Sequence, residues 1–440
     1  MRDGSPVDDL RADLDQALAC EARNEVLRAE AIYQAVLRRA PGQADASLRL
    51  AHLALRRGQA ATAVSLLEFA LRLEPGHPQL GIDLAVALAN ADDLPAAISS
   101  LQASLGRTPD NSPAWLLLGQ LHDAAGDRLG ALKAWYQAIT RAQRAGSWKD
   151  RETTPLHLLD AVVDAIAAVR EGRRELFFAV LDSARQQFGA DALTRVERAL
   201  TGYLREWDST PADPRQRPKF FFFPGLPNTP YHDPALQPWA GQLHAAFPQI
   251  RADALRVLEE DRRLPNFIPA DARVEDYVSG AGAAPSWEAF FFYRRGTRFA
   301  ANHERCPATS AVLESIELCR IADQAPEILF SILKPGSHIN PHHGVSNVRL
   351  VMHLPLSVPH SCALNLVDHG EHHWQEGRLV MFDDTYLHEA WNRSEETRIV
   401  LLMDCWNPHL TEAEKVAVKE LIEIISGLHE STWSRKPSAS

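Results

Sequence analysis

The distribution of apolar and polar residues divides the chain into two halves with different periodicities. Before residue 207, apolar residues recur every three or four positions, as in "LHLLDAVVDAIAAVREGRRELFFAVLDSARQQFG", which predicts packed amphipathic helices. From residue 286 onward, alternating or β-branched segments are separated by Gly, Pro and Asp, which predicts antiparallel strands. The predicted strands are SWEAFFFYRRG, EILFSILKPG, VRLVMHLPLSV, CALNLV, EGRLVMFDD, LHEAWN and RIVLLMDCW.

The helical half contains an internal repeat. Pro41, Pro75 and Pro109 are spaced 34 residues apart, which is the period of the tetratricopeptide helical hairpin. Small residues recur at the same interval, where the two helices of a hairpin must cross closely: Ala29, Ala63, Ala97 and Ala131. We predict a tetratricopeptide array of about four repeats over residues 1–143. Further helices over residues 144–206 are expected to cap it, because a terminal repeat must cover its apolar face.

Such an array commonly presents a concave groove, so we expect a protein or peptide partner. A spacer or a dimerising module is an alternative that the repeat pattern does not exclude.

The second half begins after a change in composition. Residues 207–219, "WDSTPADPRQRPK", have no periodicity and are predicted to be a linker. The following "KFFFF" is predicted to be an aromatic strand, and "WAGQLHAAFPQIRADALRVLEED" an amphipathic helix. The strands that follow predict a jelly roll for residues 220–440. The fold class is therefore multidomain α + β: an all-α solenoid followed by a double-stranded β-helix of the cupin-like kind.

Charge and cysteine content limit the classes of function. The net charge is −11 and no segment concentrates Lys and Arg, so neither nucleic acid nor an anionic membrane is an expected partner. We find no secretory signal and no apolar run long enough to span a bilayer. The five cysteines lack the spacing of a zinc or redox motif. We expect a cytoplasmic protein.

Eight of the 18 histidines lie between residues 338 and 373. Of these, His342 follows a predicted strand, and His388, further along, begins another, so the two can meet across a small sheet. Imidazole suits Fe(II), whose known facial triad takes two histidines and one carboxylate. Gly344 stands two positions after His342, where the carboxylate is expected. Asp383 and Asp384 are candidates for a third ligand, although "FDDTYLHE" is more typical of a turn.

Residues 220–410 resemble the aspartyl/asparaginyl β-hydroxylases, which are Fe(II)- and 2-oxoglutarate-dependent oxygenases. The matching stretches are "FFFPGLP", "PYHDP", "FSILKPGSHINPHHGVSNVRLVMHL", "EGRLVMFDDTYLHEAWN" and "RIVLLMDCWNPHLTEAE". The resemblance implies that His342 and His388 alone bind the iron, with Gly344 at the usual carboxylate position and water as the third ligand. It also implies 2-oxoglutarate and O2 as co-substrates.

The co-substrate carries a distal carboxylate that requires a buried cation. Arg398, on the strand after the second histidine, is suited to clamp that carboxylate through its planar guanidinium. The resemblance agrees and adds Ser331 as a hydroxyl partner. It further places His353, Arg349 and Trp287 in the walls of the pocket.

The chain also departs from the family pattern. Val351 occupies the position of a second arginine in the vertebrate-type enzymes, and Cys306 lacks the partner of their disulfide. We hypothesise hydroxylation of the β-carbon of Asp or Asn in a protein that the repeats recruit. The alternatives are the same chemistry on a small molecule or lipid, halogenation at the vacant carboxylate site, and a catalytically silent tetratricopeptide scaffold.

Overall fold

The computed structural model describes residues 6–261, 263–268, 272–280 and 285–429. Two compact units are present, the first formed mainly by residues up to Glu175 and the second by Leu176–Gly427. Within the described part of the chain, no helix has the length and apolar character that crossing a membrane requires.

The first unit consists of helical hairpins. Its helices are α1 (Pro6–Ala22), α2 (Val26–Arg39), α3 (Ala44–Arg56), α4 (Ala60–Leu73), α5 (Leu80–Asn90), α6 (Leu94–Arg107), α7 (Ser112–Ala124) and α8 (Arg128–Arg144), and α9 (Leu159–Phe188) follows them. Four of these helices begin at a residue whose side chain accepts a hydrogen bond from a free N–H of the first turn: Gln43, Asp93, Asn111 and Asp127. The predicted tetratricopeptide helices are confirmed.

The small residues of the repeat lie where helices cross. Ala63, Ala97 and Ala131 are almost completely buried. A Cβ at Gly119 of α7 would lie well inside van der Waals contact with the indole of Trp135 on α8. The indole of Trp135 therefore fills the space that a side chain at position 119 would need, so this crossing requires glycine.

The second unit contains two antiparallel sheets and several helices. Its helices are α10 (Thr194–Tyr203), α11 (Ala240–Ala245), α12 (Phe247–Glu260), α13 (Ala300–Arg305), α14 (Pro307–Ser315) and α15 (Glu412–His429). The strands are β1 (Tyr231–His232), β2 (Val278–Gly280), β3 (Trp287–Arg294), β4 (Thr297–Arg298), β5 (Ile328–Leu333), β6 (Ser337–His342), β7 (Arg349–Ser357), β8 (Cys362–Leu366), β9 (Gly370–His372), β10 (Val380–Phe382), β11 (His388–Asn392) and β12 (Arg398–Trp406). Seven strands form one sheet in the order β1-β10-β7-β12-β5-β3-β4, and five form the other in the order β2-β6-β11-β8-β9.

The two faces of the seven-stranded sheet pack against different elements: helices cover one face, and the five-stranded sheet lies on the other. In β5, Phe330 and Ile332 belong to a core that also contains residues of α11, α12 and α14. Leu333, on the opposite face, packs in a core that includes Leu364 and Ala390 of the five-stranded sheet. Because side chains alternate along a strand, Ser331 shares this second face. The space between the two sheets therefore receives the polar side chains of the candidate site.

Several local predictions were wrong. Residues 220–223 form no strand, although Phe221 makes one isolated bridge with Ser346. The helix predicted near residue 250 is divided into α11 and α12, with Pro248 in the first turn of the second, where its missing N–H costs nothing. Strand β6 and helix α15 were not predicted.

Candidate functional site

Two histidines face each other on neighbouring strands of the five-stranded sheet. His342 ends β6 and His388 begins β11, and their Cα atoms are direct partners in the antiparallel register. Direct partners project from the same face of a sheet, and the centroids of the two imidazole rings lie 4.1 Å apart. The structure thus brings together the two residues that the sequence indicated as metal ligands.

Hydrogen bonds to the backbone orient both rings. Nδ1 of His342 lies 2.8 Å from the carbonyl oxygen of Asn340, and Nδ1 of His388 lies 3.0 Å from that of Tyr386. A carbonyl oxygen only accepts hydrogen bonds, so each Nδ1 carries the proton and each Nε2 retains its lone pair. The two Nε2 atoms are therefore available as ligands for a metal.

Burial keeps both rings neutral. It lowers the pKa of His388 to about 3 and also lowers the pKa of His342. Neutral imidazole is the form that binds metal ions. The neighbouring His343 lies outside the pair, with Nδ1 2.8 Å from the carbonyl oxygen of Thr385.

A carboxylate from another loop occupies the space beside Gly344. A Cβ at this glycine would lie well inside van der Waals contact with the carboxyl carbon and both carboxyl oxygens of Asp384. Asp384 is buried, and its Oδ1 atom has no hydrogen-bond partner among the described residues. Burial raises the pKa of Asp384 to about 7. Arg349 lies 4.0 Å from Oδ2 of this group, but the buried Oδ1 atom still requires a hydrogen-bond donor such as an ordered water molecule.

The adjacent aspartate has a different function. Asp383 accepts hydrogen bonds from the backbone N–H, at 2.9 Å, and from the hydroxyl of Thr385, and so closes the turn that the sequence predicted. No group of three His, Cys, Asp or Glu side chains within the described residues has an arrangement suited to hold a metal ion. The histidine pair thus stands without a third protein ligand in this part of the chain.

Arg398 is a buried cation that has no carboxylate partner among the residues that the structure describes. It is 2% exposed, and its Nη1 atom donates to the carbonyl and hydroxyl oxygens of Ser331 at 3.2 Å each. Its Nε atom has no partner among the described residues, and the ring of Trp374 lies 5.1 Å from the guanidinium carbon. Burial lowers the pKa of Arg398 to about 10, so it remains cationic at neutral pH. An uncompensated buried charge is costly, which indicates an anionic ligand at this position.

Two hydrogen bonds orient the Ser331 hydroxyl so that its proton can be donated to such an anion. Its hydroxyl oxygen also accepts a hydrogen bond from Nε1 of Trp287 at 2.9 Å. Because two donors already point at this oxygen, the hydroxyl proton is free to be donated elsewhere. Trp287 is fixed in turn by stacking on Phe267, with the ring centroids 3.9 Å apart. Three of the predicted pocket residues, Arg398, Ser331 and Trp287, therefore form one connected group.

His353 belongs to the same interior. Both of its ring nitrogens are buried and lack hydrogen-bond partners among the described residues, and its ring centroid lies 5.2 Å from that of Phe382. Burial, followed by the charge of Arg398, lowers the pKa of His353 well below its usual range. A neutral imidazole in this setting can donate one hydrogen bond to a ligand and accept another.

Arg349 is already neutralised by the protein. Its Nη1 atom forms an ion pair with Asp404, and its Nη2 atom lies 4.0 Å from Asp384. Burial disfavours its charge, but the two carboxylates outweigh this effect and raise the pKa of Arg349. Its charge is therefore directed toward these carboxylates, whereas the resemblance placed Arg349 near the carboxylates of 2-oxoglutarate and substrate, as a cofactor-binding residue.

The sequence did not indicate Trp374 as a site residue. Trp374 is 7% exposed, its Nε1 atom is buried without a partner in the described structure, and its ring centroid lies 5.8 Å from that of His353. It follows β9 in the segment "HHWQEG", where a bulky aromatic residue among loop-forming residues was the available signal.

The donor set fits a divalent metal and an anionic co-substrate. Two neutral imidazoles with free Nε2 atoms suit Fe(II), and the unpartnered Asp384 oxygen provides negative charge nearby. The unpartnered Nε of Arg398 and the free Ser331 proton suit a carboxylate.

The chain matches known protein families in both halves. Residues 244–408 match the family described as "Aspartyl/Asparaginyl beta-hydroxylase", and residues 14–78 and 54–121 match two tetratricopeptide repeat families. The MamA protein, a solved structure, covers 41% of this chain and 94% of its own, with a TM-score of 0.31 and 18% identity.

Three relatives illustrate the range of similar proteins. The ornithine lipid ester-linked acyl 2-hydroxylase of Rhizobium tropici is 36% identical over 186 residues, which cover 42% of this chain and 62% of that protein. Aspartate beta-hydroxylase domain-containing protein 2 of Mus musculus is 27% identical over 56% of this chain and 71% of its own length. The human aspartyl/asparaginyl beta-hydroxylase is 30% identical over 38% of this chain and 21% of its own length. The chain thus spans less than two thirds of two of these relatives.

The family match covers both histidines and the whole Arg398 group, so the candidate site residues lie within the matched region. The chain therefore combines a region that matches the aspartyl/asparaginyl β-hydroxylase family model with N-terminal regions that match tetratricopeptide repeats.

Proposed function

We propose that this protein is an Fe(II)- and 2-oxoglutarate-dependent hydroxylase. The observation that carries the proposal is that two preoriented neutral histidines, His342 and His388, share an interior with Arg398, a buried cation that has no carboxylate partner among the described residues. The imidazoles offer two lone pairs to a metal, and the guanidinium lacks a counter-charge among the described residues. A metal chelated by a dicarboxylate satisfies both.

Each residue has a defined task in this proposal. His342 and His388 bind Fe(II) through Nε2, and the backbone carbonyls that accept from Nδ1 hold the rings in position. Arg398 and Ser331 bind the distal carboxylate of 2-oxoglutarate, and the Trp287 N–H orients the Ser331 hydroxyl. When bound, iron and 2-oxoglutarate supply the oxidant that converts a C–H bond to C–OH with one oxygen atom of O2.

Asp384 takes the place of a third protein ligand without being one. Its carboxylate lies against Gly344 and can accept a hydrogen bond from water at the third metal position. The ionised form of Asp384 argues against halogenation, because a halide beside it would face repulsion between like charges as pH rises above about 7. We therefore favour hydroxylation over halogenation.

Two substrate classes are open. Hydroxylation of Asp or Asn in a protein recruited by the tetratricopeptide repeats fits the family of the catalytic domain and the partner-binding role of such repeats. Two residues favour hydroxylation of an acyl chain, which carries no charge. Arg349 is already paired with Asp404, and Val351 is an apolar residue where the resemblance expects a second arginine. A substrate carboxylate would find few free cations among these residues.

Turnover of 2-oxoglutarate by the purified protein tests the proposal. We expect succinate formation that requires Fe(II) and O2 and is lost in His342→Ala and Arg398→Ala, whereas His343→Ala keeps it. Succinate formation that persists at the wild-type rate in His342→Ala would refute the metal assignment.

Product analysis separates the substrate classes. Peptides containing Asp or Asn and ester-linked acyl lipids are supplied in parallel, and mass spectrometry identifies which one gains the mass of a single oxygen atom. A product that contains halide would overturn our preference for hydroxylation.

A further inference from the structure

A segment that the sequence assigned to a linker and an aromatic strand lies against the two loops of the histidine pair. We call residues 213–223 the strap. One loop, residues 343–347, follows the first histidine, and the other, residues 383–387, precedes the second. The strap lies outside residues 244–408, the range that matches the hydroxylase family. It therefore contributes contacts to the metal site that the family match does not include.

The strap is bonded to the first loop through its backbone. The N–H of Lys219 donates to the carbonyl oxygen of Gly344 at 3.0 Å, and two further strap N–H groups share the carbonyl oxygen of Val345. The N–H of Phe223 donates to the side-chain oxygen of Asn347 at 2.8 Å, and the Asn347 amide donates back to the Phe223 carbonyl at 2.9 Å. This loop thus has paired backbone groups along most of its length.

The strap is bonded to the second loop through both backbone and side chain. The N–H of Arg217 donates to the carbonyl oxygen of Thr385 at 2.8 Å, and Gln216 forms an isolated antiparallel bridge with Tyr386. The Gln216 side chain, which is 1% exposed, donates from Nε2 to Oδ2 of Asp383 at 2.7 Å. A buried glutamine that donates to a buried carboxylate is a specific contact, because either group without the other is left unsatisfied.

A short chain of contacts connects Gln216 to the metal ligand. Asp383 uses one oxygen for Gln216 and the other for the N–H of Thr385. The next residue, Tyr386, supplies the carbonyl that accepts from Nδ1 of His388. Displacement of Asp383 therefore moves the turn that orients the imidazole.

We propose that the strap, acting through Gln216, positions the histidine pair for metal binding. This inference rests on the proposed function, since it requires that the pair binds metal. Gln216 is a positioning residue, because it contacts neither the metal nor the substrate. The competing interpretation is that the strap stabilises the domain as a whole and has no specific effect on the site.

Gln216→Ala and Gln237→Ala form a matched pair of variants that separates the two interpretations. Gln237 is 5% exposed and donates from Nε2 to the carbonyl oxygen of Trp406 at 2.7 Å, so its substitution removes a comparable buried hydrogen bond. It packs against Met381, whose side chain belongs to the helix-covered core on the other face of the seven-stranded sheet. We expect both variants to lower Tm, but only Gln216→Ala to weaken metal binding.

Anaerobic titration with Fe(II) gives the decisive measurement. Loss of an outer hydrogen-bond partner typically weakens metal binding by about 10- to 100-fold. We expect the lower end, about tenfold, for Gln216→Ala because it acts through Asp383, and no change for Gln237→Ala. Equal affinities in Gln216→Ala and wild type, or an equal loss in both variants, would overturn the positioning role.

A second pair covers the case in which Gln216→Ala does not fold. Arg217→Pro removes the N–H that donates to Thr385, whereas Arg217→Ala keeps it. Pro218 already biases residue 217 away from helical backbone, so neither substitution interrupts a helix. Weaker Fe(II) binding in Arg217→Pro alone supports the proposal, and equal binding in both variants overturns it.

Titration of wild-type protein and His342→Ala under the same conditions distinguishes failure of the proposed function from failure of the positioning role of the strap. If they bind Fe(II) equally, the proposed function fails. If wild type binds and His342→Ala does not, a normal affinity in the strap variants contradicts only the role of the strap.

Discussion

Replacement of Arg398 by methionine is expected to change stability and co-substrate binding in opposite directions. In the protein without ligand, the guanidinium is 2% exposed and its hydrogen bonds to Ser331 do not supply a counter-charge. Replacement of a buried ion pair by apolar residues of similar volume is often neutral or stabilises a protein by about 1–4 kcal/mol, and a buried cation without a counter-charge has no pair attraction to lose. We therefore expect Arg398→Met to raise the free energy of unfolding of the ligand-free protein by about 1–3 kcal/mol.

The same substitution removes the donors for the distal carboxylate of 2-oxoglutarate. A hydrogen bond to a charged group contributes about 1.5–3 kcal/mol, so two of them contribute about 3–6 kcal/mol. This corresponds to a Kd for 2-oxoglutarate that is roughly 10²- to 10⁴-fold higher. Saturating 2-oxoglutarate should consequently raise the Tm of wild type but leave that of Arg398→Met unchanged.

Chemical denaturation without ligand, and titration of 2-oxoglutarate into the anaerobic Mn(II) protein, measure the two effects. Arg393→Met is the matched control, because Arg393 is exposed and its guanidinium carbon lies 4.2 Å from the ring of Trp391. A ligand-free Arg398→Met protein that is less stable than wild type and binds 2-oxoglutarate within about twofold of it would contradict the anion-pocket assignment.

Three further predictions concern other parts of the second unit and the repeats. His342→Ala should abolish Fe(II) binding in equilibrium titration, whereas equal loss in His343→Ala would show that the ligand was assigned to the wrong residue. Gly344→Ala should displace the Asp384 carboxylate and weaken Fe(II) binding about 10- to 100-fold. The control is Gly106→Ala, at a helical position with open space around it, which should raise the free energy of unfolding by about 0.5–1 kcal/mol. Undiminished metal binding in Gly344→Ala would exclude the predicted clash. Burial lowers the pKa of His232 to about 4, so its contribution to stability is complete above about pH 6.5 and is lost as pH falls toward 4. His232→Asn should therefore reduce the change in the free energy of unfolding between pH 6.5 and 4. A pH dependence identical to that of wild type would contradict that reasoning.

The strand pattern predicted the meeting of the two histidines and the placement of Arg398 on the next strand, whereas the family resemblance supplied Ser331 and the remaining pocket residues. Alternation along β5 and β12 places Ser331 and Arg398 on the inner face, and Leu333, two residues after Ser331, is the direct partner of Arg398. This register explains why the guanidinium of Arg398 on β12 reaches Ser331 on the neighbouring strand β5. The sequence also indicated that His342 and His388 would meet, because both lie at strand ends in the same small sheet.

The residues that the sequence missed depend on long-range packing or break the local rules. Strand β6, "SHINPH", is mostly polar and contains Pro341, so it lacks the signature of a strand. Trp374 comes from a loop, and its position over Arg398 follows only from the folded arrangement. Gln216 lies in a segment without periodicity, whose pairing with Asp383 spans 167 residues. Local pattern contains no information about contacts of this kind.

The contact between Gly344 and Asp384 also constrains how such a centre can evolve. Acquisition of a carboxylate at position 344 by a single substitution would place a second side chain in space that Asp384 fills. Removal of Asp384 first would delete the local negative charge before a replacement existed. The path to a three-ligand centre therefore crosses an intermediate that is crowded or lacks a carboxylate, and the two positions are expected to change together.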